Sequence, residues 1–254
     1  MISTPGQLIK IYAKQLKLPT FLRYETTLRL AQEQGWGYED FLVKLLALEL
    51  EQRKENQEKR RIRAAGFPYP KSLDSFDFSN LPKVDPAVVW QLATGQFVNN
   101  RENVILVGNP GTGKTHLAIG LGMKLCSLGF RVKFITAAGL AITLHEAQEL
   151  TKLGRLQQQL AKADLLILDE LSYVSFNQAH AQLLFQVLSE RTERGSVLIT
   201  TNLEFSKWTD FFGDPMLTAA LVDRLTYRSH ILNMNAESYR LKQRRKEGGE
   251  AGKV

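Results

Sequence analysis

The 254-residue chain predicts an α/β fold, a P-loop core with a parallel five-stranded sheet, preceded by a small helical domain. Three observations predict it. Residues 1 to 65 carry apolar side chains at helical spacing only. From about Val84 short β-rich runs alternate with helical segments, which implies right-handed crossovers and a parallel sheet covered on both faces. The first of those runs leads straight into GNPGTGKT, residues 108 to 115, a loop shaped to hold a phosphate chain.

In the helical part, Ser3, Thr4 and Pro5 form a cap and first-turn signal ahead of Leu8, Ile11, Tyr12 and Leu16. A second helix is expected from about Thr20 to Gln34, ended by Gly35. A third starts near Tyr38, presents Phe41, Leu42, Leu45 and Leu46 on one face, and turns polar and basic through EQRKENQEKRRIR. Gly66, Pro68 and Pro70 break that helix, so residues 66–83 read as a linker between a domain at 1–65 and a second at 84–242. The expected strands are NVILV, RVKFIT, DLLILD, SVLITT and HILNM. Residues 243–254 form a charged tail expected to be disordered.

Composition narrows the function classes. Net charge is +7, from 33 Lys and Arg against 26 Asp and Glu, which suits an acidic partner such as nucleic acid without requiring one. Cys126 is the only cysteine, so no disulfide framework or thiolate metal site is available within the chain, and its apolar setting explains it as a small core residue. His116, His145, His180 and His230 are far apart in sequence and lack ligand spacing. No apolar run approaches a membrane span, and the start of the chain lacks the apolar core of a signal peptide, so a cytoplasmic protein is expected.

The chemistry is concentrated in three strand ends. In the loop formed by Gly108, Asn109, Pro110, Gly111, Thr112, Gly113, Lys114 and Thr115, with His116 following, the glycines permit backbone angles that aim N–H groups inward, and the next helix presents its positive end. Lys114 is placed to reach β and γ phosphates, and the Thr115 hydroxyl to hold Mg²⁺. LLILDE supplies Asp169 for the metal and Glu170 as the base for an attacking water, although such a pair also fits a surface turn. SVLITTN ends in Asn202, an amide suited to holding that water and the γ phosphate, although Asn often ends strands as a turn residue. The absence of an N-K-x-D element favours adenine over guanine.

Residues 66 to about 242 resemble the IstB/DnaC branch of the AAA+ ATPases, the transposition helpers of IstA/IstB insertion sequences and the related helicase loaders. The resemblance is carried by FPYPKSLDSFDF, NVILVGNPGTGKTHLAIGLG, ADLLILDELSYV, LLFQVLSERTERGSVLITTNLEFSKW, ALVDRL and ESYRLK. GKTHLA, LLFQVLSER, TTNLEFSKW and SYRLK are more similar to the transposition helper than to the loader.

The resemblance implies that Arg224, in ALVDRL, is an arginine finger acting on the γ phosphate held by a neighbouring subunit, and that Arg240, in ESYRL, is a second sensor within its own subunit. A finger working in trans implies a homo-oligomer with ATP at the subunit seam. The resemblance also implies that residues 137–163, long enough for two helices, include one that projects toward DNA, with Lys152 and Arg155 as its first charges to test. The short chain after HILNM departs from the three-helix lid of most AAA+ proteins and suits this branch. The implied function is an ATP- and Mg-dependent ATPase that assembles on duplex DNA, deforms it and presents it to an IstA-like transposase. Lys10, Lys14, Lys17 and Arg23, with no acid before Glu25, give the helical domain a possible share in DNA or transposase contact, a solvated helix face being the default.

Three rivals stand beside this reading. A DnaC-like replicative helicase loader shares the core. A small-molecule phosphotransferase fits the loop but not the acid pair with a downstream arginine motif. A binding module without hydrolysis is opposed by the intact Glu170.

Overall fold

A computed structural model describes residues 4–171 and 178–239. The chain divides into two compact units, Met1–Arg60 and Arg61–Val254.

The first unit is helical. Helix α1 (Pro5–Gln15) starts on a reciprocal cap: the Thr4 side chain accepts from the Gln7 N–H, and the Gln7 side chain accepts from the Thr4 N–H. A 3₁₀ turn (Pro19–Arg23) precedes α2 (Tyr24–Gln34), so the second helix begins later than Thr20. Gly35, at φ 67°, ends α2 as expected. Helix α3 runs Tyr38–Ala65.

Two expectations about the boundary change. The division between units falls inside α3 rather than after it, because Ile62 and Ala65 in its last turn pack into the core of the second unit. Residues 66–83 are not a free linker: Leu73 and Leu81 are buried in that core, and Phe67, Phe76 and Phe78 pack against it. A short 3₁₀ turn, Phe78–Asn80, is capped by the Asp77 carboxylate.

In the second unit α4 (Pro86–Leu92) and α5 (Gln96–Asn99) lead into β1 (Asn103–Val107). There follow α6 (Lys114–Ser127), β2 (Val132–Thr136), α7 (Ala137–Glu149), α8 (Leu153–Ala161) and β3 (Leu165–Asp169). Then come α9 (Gln178–Arg194), β4 (Ser196–Thr201), α10 (Trp208–Phe212), α11 (Pro215–Thr226) and β5 (Ser229–Asn233).

The five strands are parallel, in the order β2-β3-β4-β1-β5. Alternate residues face opposite layers. Val104, Leu106, Leu165, Ile167 and Leu198 pack with α6 through Leu117, Leu121 and Leu125. Ile105, Leu166, Leu168, Val197 and Ile199 pack with α7, α9 and α11 through Leu140, Leu184 and Leu221. Both faces are therefore sealed, as a parallel sheet requires.

Helices α7 and α8 fill the 137–163 interval. The inner side of α8 is held by Leu153, Leu156 and Leu160 in the second core layer, while Lys152 and Arg155 are exposed. Arg191 of α9 is buried, and its guanidinium donates to the carbonyls of Leu160 and Ala163 at 2.9 and 2.5 Å, fastening the end of α8. Burial lowers its pKa to about 10.

Candidate nucleotide site

The strand order builds the site. β4 lies between β1, which feeds the phosphate loop, and β3, which ends in Asp169, so three strand ends meet at one edge of the sheet. The Gly108 N–H donates to the Thr201 carbonyl at 3.1 Å, and the Leu171 N–H donates to the Thr200 carbonyl at 2.9 Å, stitching those ends together. They open on a cleft of about 740 Å³ lined by loop residues 110–115, His116, Glu170, Asn202 and part of the 69–81 segment.

Within the loop, the Lys114 ammonium donates to the carbonyls of Gly108 at 2.5 Å and Asn109 at 2.8 Å, so its charge is held at the mouth of the cradle. Thr115, at the start of α6, lies with its hydroxyl 3.0 and 3.1 Å from the two Asp169 carboxylate oxygens. Asp169 is only 3% exposed. Burial pushes its carboxyl above the usual range, opposed by hydrogen bonds from Thr200 and Thr115 and by the Lys114 charge.

Thr200 joins the two acids. Its hydroxyl donates to Asp169 Oδ1 at 2.5 Å and accepts from the Glu170 N–H at 2.9 Å. Glu170 is exposed to the cleft at φ 58°, a left-handed conformation unusual for a side chain of its size. Sequence reasoning missed Thr200; its signal was the first threonine of the TTN strand end.

Asn202 stands beside Glu170 in the lining, and its side-chain oxygen is buried with no hydrogen-bond partner among the described residues. A buried polar atom left so is a place for a ligand atom or water. The His116 ring packs edge-on against Phe76, with centroids 5.1 Å apart, and its Nε2 lies 3.3 Å from the Ser72 carbonyl. Burial lowers the His116 pKa below its ordinary value, against the opposing contact with the Ser72 carbonyl.

The cleft therefore joins Lys114, Thr115, Glu170 and Asn202, with the Asp169 carboxylate directly behind Thr115. Arg224 lies elsewhere, on the exposed side of α11, with no hydrogen bond or ion pair among the described residues. Arg240 and residues 243–254 fall outside the described residues. The histidines are less scattered than their spacing implies, since the rings of His145 and His180 meet at 4.8 Å; among the described residues no group of three or more His, Cys, Asp or Glu could hold a metal ion. Nor is any helix there long and apolar enough to cross a membrane.

The profile of the IstB-like ATP binding protein family matches residues 11–247. The chain belongs to that family. It is 42% identical over 224 residues to the ATP-binding protein of insertion sequence IS21 from Pseudomonas aeruginosa, covering 88% of this chain and 84% of that one. It is also 35% identical over 235 residues to the ATP-binding protein of insertion sequence IS5376 from Geobacillus stearothermophilus, covering 92% and 94%. Among solved structures, AMPPCP-bound DnaA from Aquifex aeolicus superposes with a TM-score of 0.58 at 18% identity, over 73% of this chain and 56% of that one. DnaI superposes with a TM-score of 0.53 at 16% identity, over 71% and 92%. These likenesses confirm the expected AAA+ P-loop fold. The family and its insertion-sequence relatives make this chain an IstB-like ATP-binding ATPase.

Proposed function

We propose that this IstB-like ATPase assembles with ATP on duplex DNA, deforms it and presents it to an IstA-like transposase for target selection and insertion. The observation that carries the reading is the convergence of Lys114, Thr115, Glu170 and Asn202 on one cleft backed by Asp169.

The residues fit a magnesium nucleotide. Thr115 and Asp169 offer a hydroxyl and a carboxylate within 3.1 Å of each other, a donor set suited to a hard cation, and the Asn202 oxygen is poised and unpartnered. When bound, Mg²⁺ would neutralise charge on the β and γ phosphate oxygens. Loop residues Gly108, Asn109, Pro110, Gly111, Thr112 and Gly113, with His116 behind them, surround the phosphates, and the Lys114 ammonium exchanges its loop carbonyls for phosphate oxygens. Glu170 accepts a proton from the attacking water, which Asn202 helps to hold. Thr200 fixes the backbone from which Glu170 projects.

Arg224 is exposed and outside its own cleft, which suits a side chain that reaches a second subunit's γ phosphate. Arg240 would act within its own subunit. The net charge of +7 and the exposed Lys152 and Arg155 favour a DNA contact made through backbone phosphates, weakly dependent on sequence and steeply on salt. A cytoplasmic location follows from such a partner. The insertion-sequence relatives favour transposase over a replicative helicase as the protein partner, and co-purification with each separates the two.

The test is ATP turnover with and without duplex DNA. The parent should be stimulated by DNA. Glu170→Gln and Arg224→Ala should each lose at least about a hundredfold in turnover, and only Glu170→Gln should form lasting ATP-dependent DNA complexes. Equal turnover with and without DNA by a monomeric parent would overturn the assembly reading.

A further inference from the structure

The phosphate loop is tied to a piece of chain more than a hundred residues away, and the loop motif says nothing about that piece. Directly after β5, the Met234 N–H donates to the Val107 carbonyl at 2.7 Å, carrying the chain across the loop's entrance. Asn235 then accepts, through its side-chain oxygen, a hydrogen bond from the Asn109 N–H at 3.0 Å. Four residues on, the Tyr239 N–H donates to the Gly111 carbonyl at 3.0 Å. The segment is thus fastened to both flanks of the Asn109–Gly111 stretch, and Glu237 and Tyr239 line the cleft.

Two glycines record how closely the pieces approach. A β-carbon built on Gly108 would stand 2.6 Å from the Met234 carbonyl, closer than packed atoms allow. One built on Gly111, at φ 80°, would run into the Ser238 hydroxyl. These glycines serve the phosphate cradle and also admit the segment that grips it. Asn235 is itself oriented, since its own N–H donates to the Asn233 side chain at 3.0 Å.

We propose that Asn235–Tyr239 is a clasp that holds the phosphate cradle in its binding shape before nucleotide arrives, with Asn235 as the positioning residue. The inference rests on the nucleotide reading of this cleft. A glycine-rich loop has more backbone freedom to lose than other chain, and whatever is fixed in advance is not lost on binding. The clasp satisfies the Asn109 N–H and the Gly111 carbonyl through partners that belong to the protein, and leaves the inward N–H groups of the loop to the ligand. By linkage, nucleotide that favours the held loop also tightens the clasp.

The experiment uses the full-length protein, with calorimetric binding of magnesium ATP and magnesium ADP, nucleotide-free melting, and amide hydrogen exchange. Asn235→Ala should weaken both nucleotides by about tenfold, near the upper end for one hydrogen bond, while the nucleotide-free melting temperature stays at the parent value. Its Asn109 amide should exchange faster. Asn235→Asp retains an acceptor oxygen and should keep that amide protected. Ser238→Val, which crowds Gly111 from the other end, should weaken both nucleotides as well, and nucleotide should slow exchange at Tyr239 in the parent. Parent-like affinity in either Asn235→Ala or Ser238→Val would overturn the clasp, as would affinity and melting temperature falling together with no protection restored by Asn235→Asp. A parent that binds neither nucleotide would overturn the underlying reading, and the clasp with it.

Discussion

In Arg61–Val254, the sheet is sealed on both faces, and Ile105, Leu166, Leu198 and Leu221 have no solvent exposure at all. In Met1–Arg60, by contrast, the buried apolar side chains among the described residues are Ala13, Ala31 and Leu45, while Leu16, Leu42, Val43 and Leu50 are exposed. Burial of apolar area is the main favourable term in folding, so the first unit must draw more of its order from caps and polar contacts. Those contacts are present: the Thr4 cap, Gly35, and the Glu49 carboxylate, which is 3% exposed and accepts from the Thr20 N–H at 3.0 Å, the Thr20 hydroxyl, and Arg53 Nε at 2.8 Å. One unit is held by packing and the other by a few directional bonds, so the two should fail differently.

The largest effect should come from the sheet. Leu198→Ala removes a fully buried side chain from the layer between the sheet and α6 and should cost about 2 to 5 kcal/mol, seen as a lower denaturation midpoint and faster amide exchange across all five strands. A midpoint within error of the parent would break the contrast.

Next is Glu49→Ala, which leaves the partly buried Thr20 N–H and Arg53 Nε without that acceptor and should cost about 1 to 3 kcal/mol, with faster exchange confined to residues 20–50. Acid should mimic it. Burial pushes the Glu49 carboxyl up, but hydrogen bonds from Thr20 and Arg53 outweigh this and leave it below its ordinary value of 4.5. Its contribution is therefore complete above pH 4.5 and disappears as pH falls through the folded value. Exchange or circular dichroism on acidification should show the first unit loosening, and Glu49→Ala should blunt that response.

The smallest effect should come from Lys10 and Glu25, an exposed pair 2.7 Å apart. Lys10→Ala should leave the denaturation midpoint unchanged within error, because solvent and salt screen such pairs.

Much of this architecture was legible because its causes are local. Helical spacing, the Thr4–Pro5 cap and Gly35 mark α1 to α3, and apolar runs such as LLILD mark buried strands. The convergence of Lys114, Thr115, Asp169 and Asn202 was also readable, since a loop motif and two strand ends imply one edge of one sheet. What was not legible depends on long-range packing. Residues 66–83 carry prolines and irregularly spaced aromatics that read as a linker, yet Leu73 and Leu81 find the core. Burial of Arg191 has no sequence signal beyond one arginine among many, and the pairing of Asn235 with Asn109 spans too many residues for any local pattern.

Glu170 occupies a backbone region that L-residues enter at a cost of about 1 kcal/mol or more, and asparagine enters more readily. Glu170→Asn should therefore melt at or above the parent temperature while losing ATP turnover. If Glu170 has the role proposed for it, robustness and turnover would pull this position in opposite directions, and a screen for heat tolerance alone would favour inactive protein.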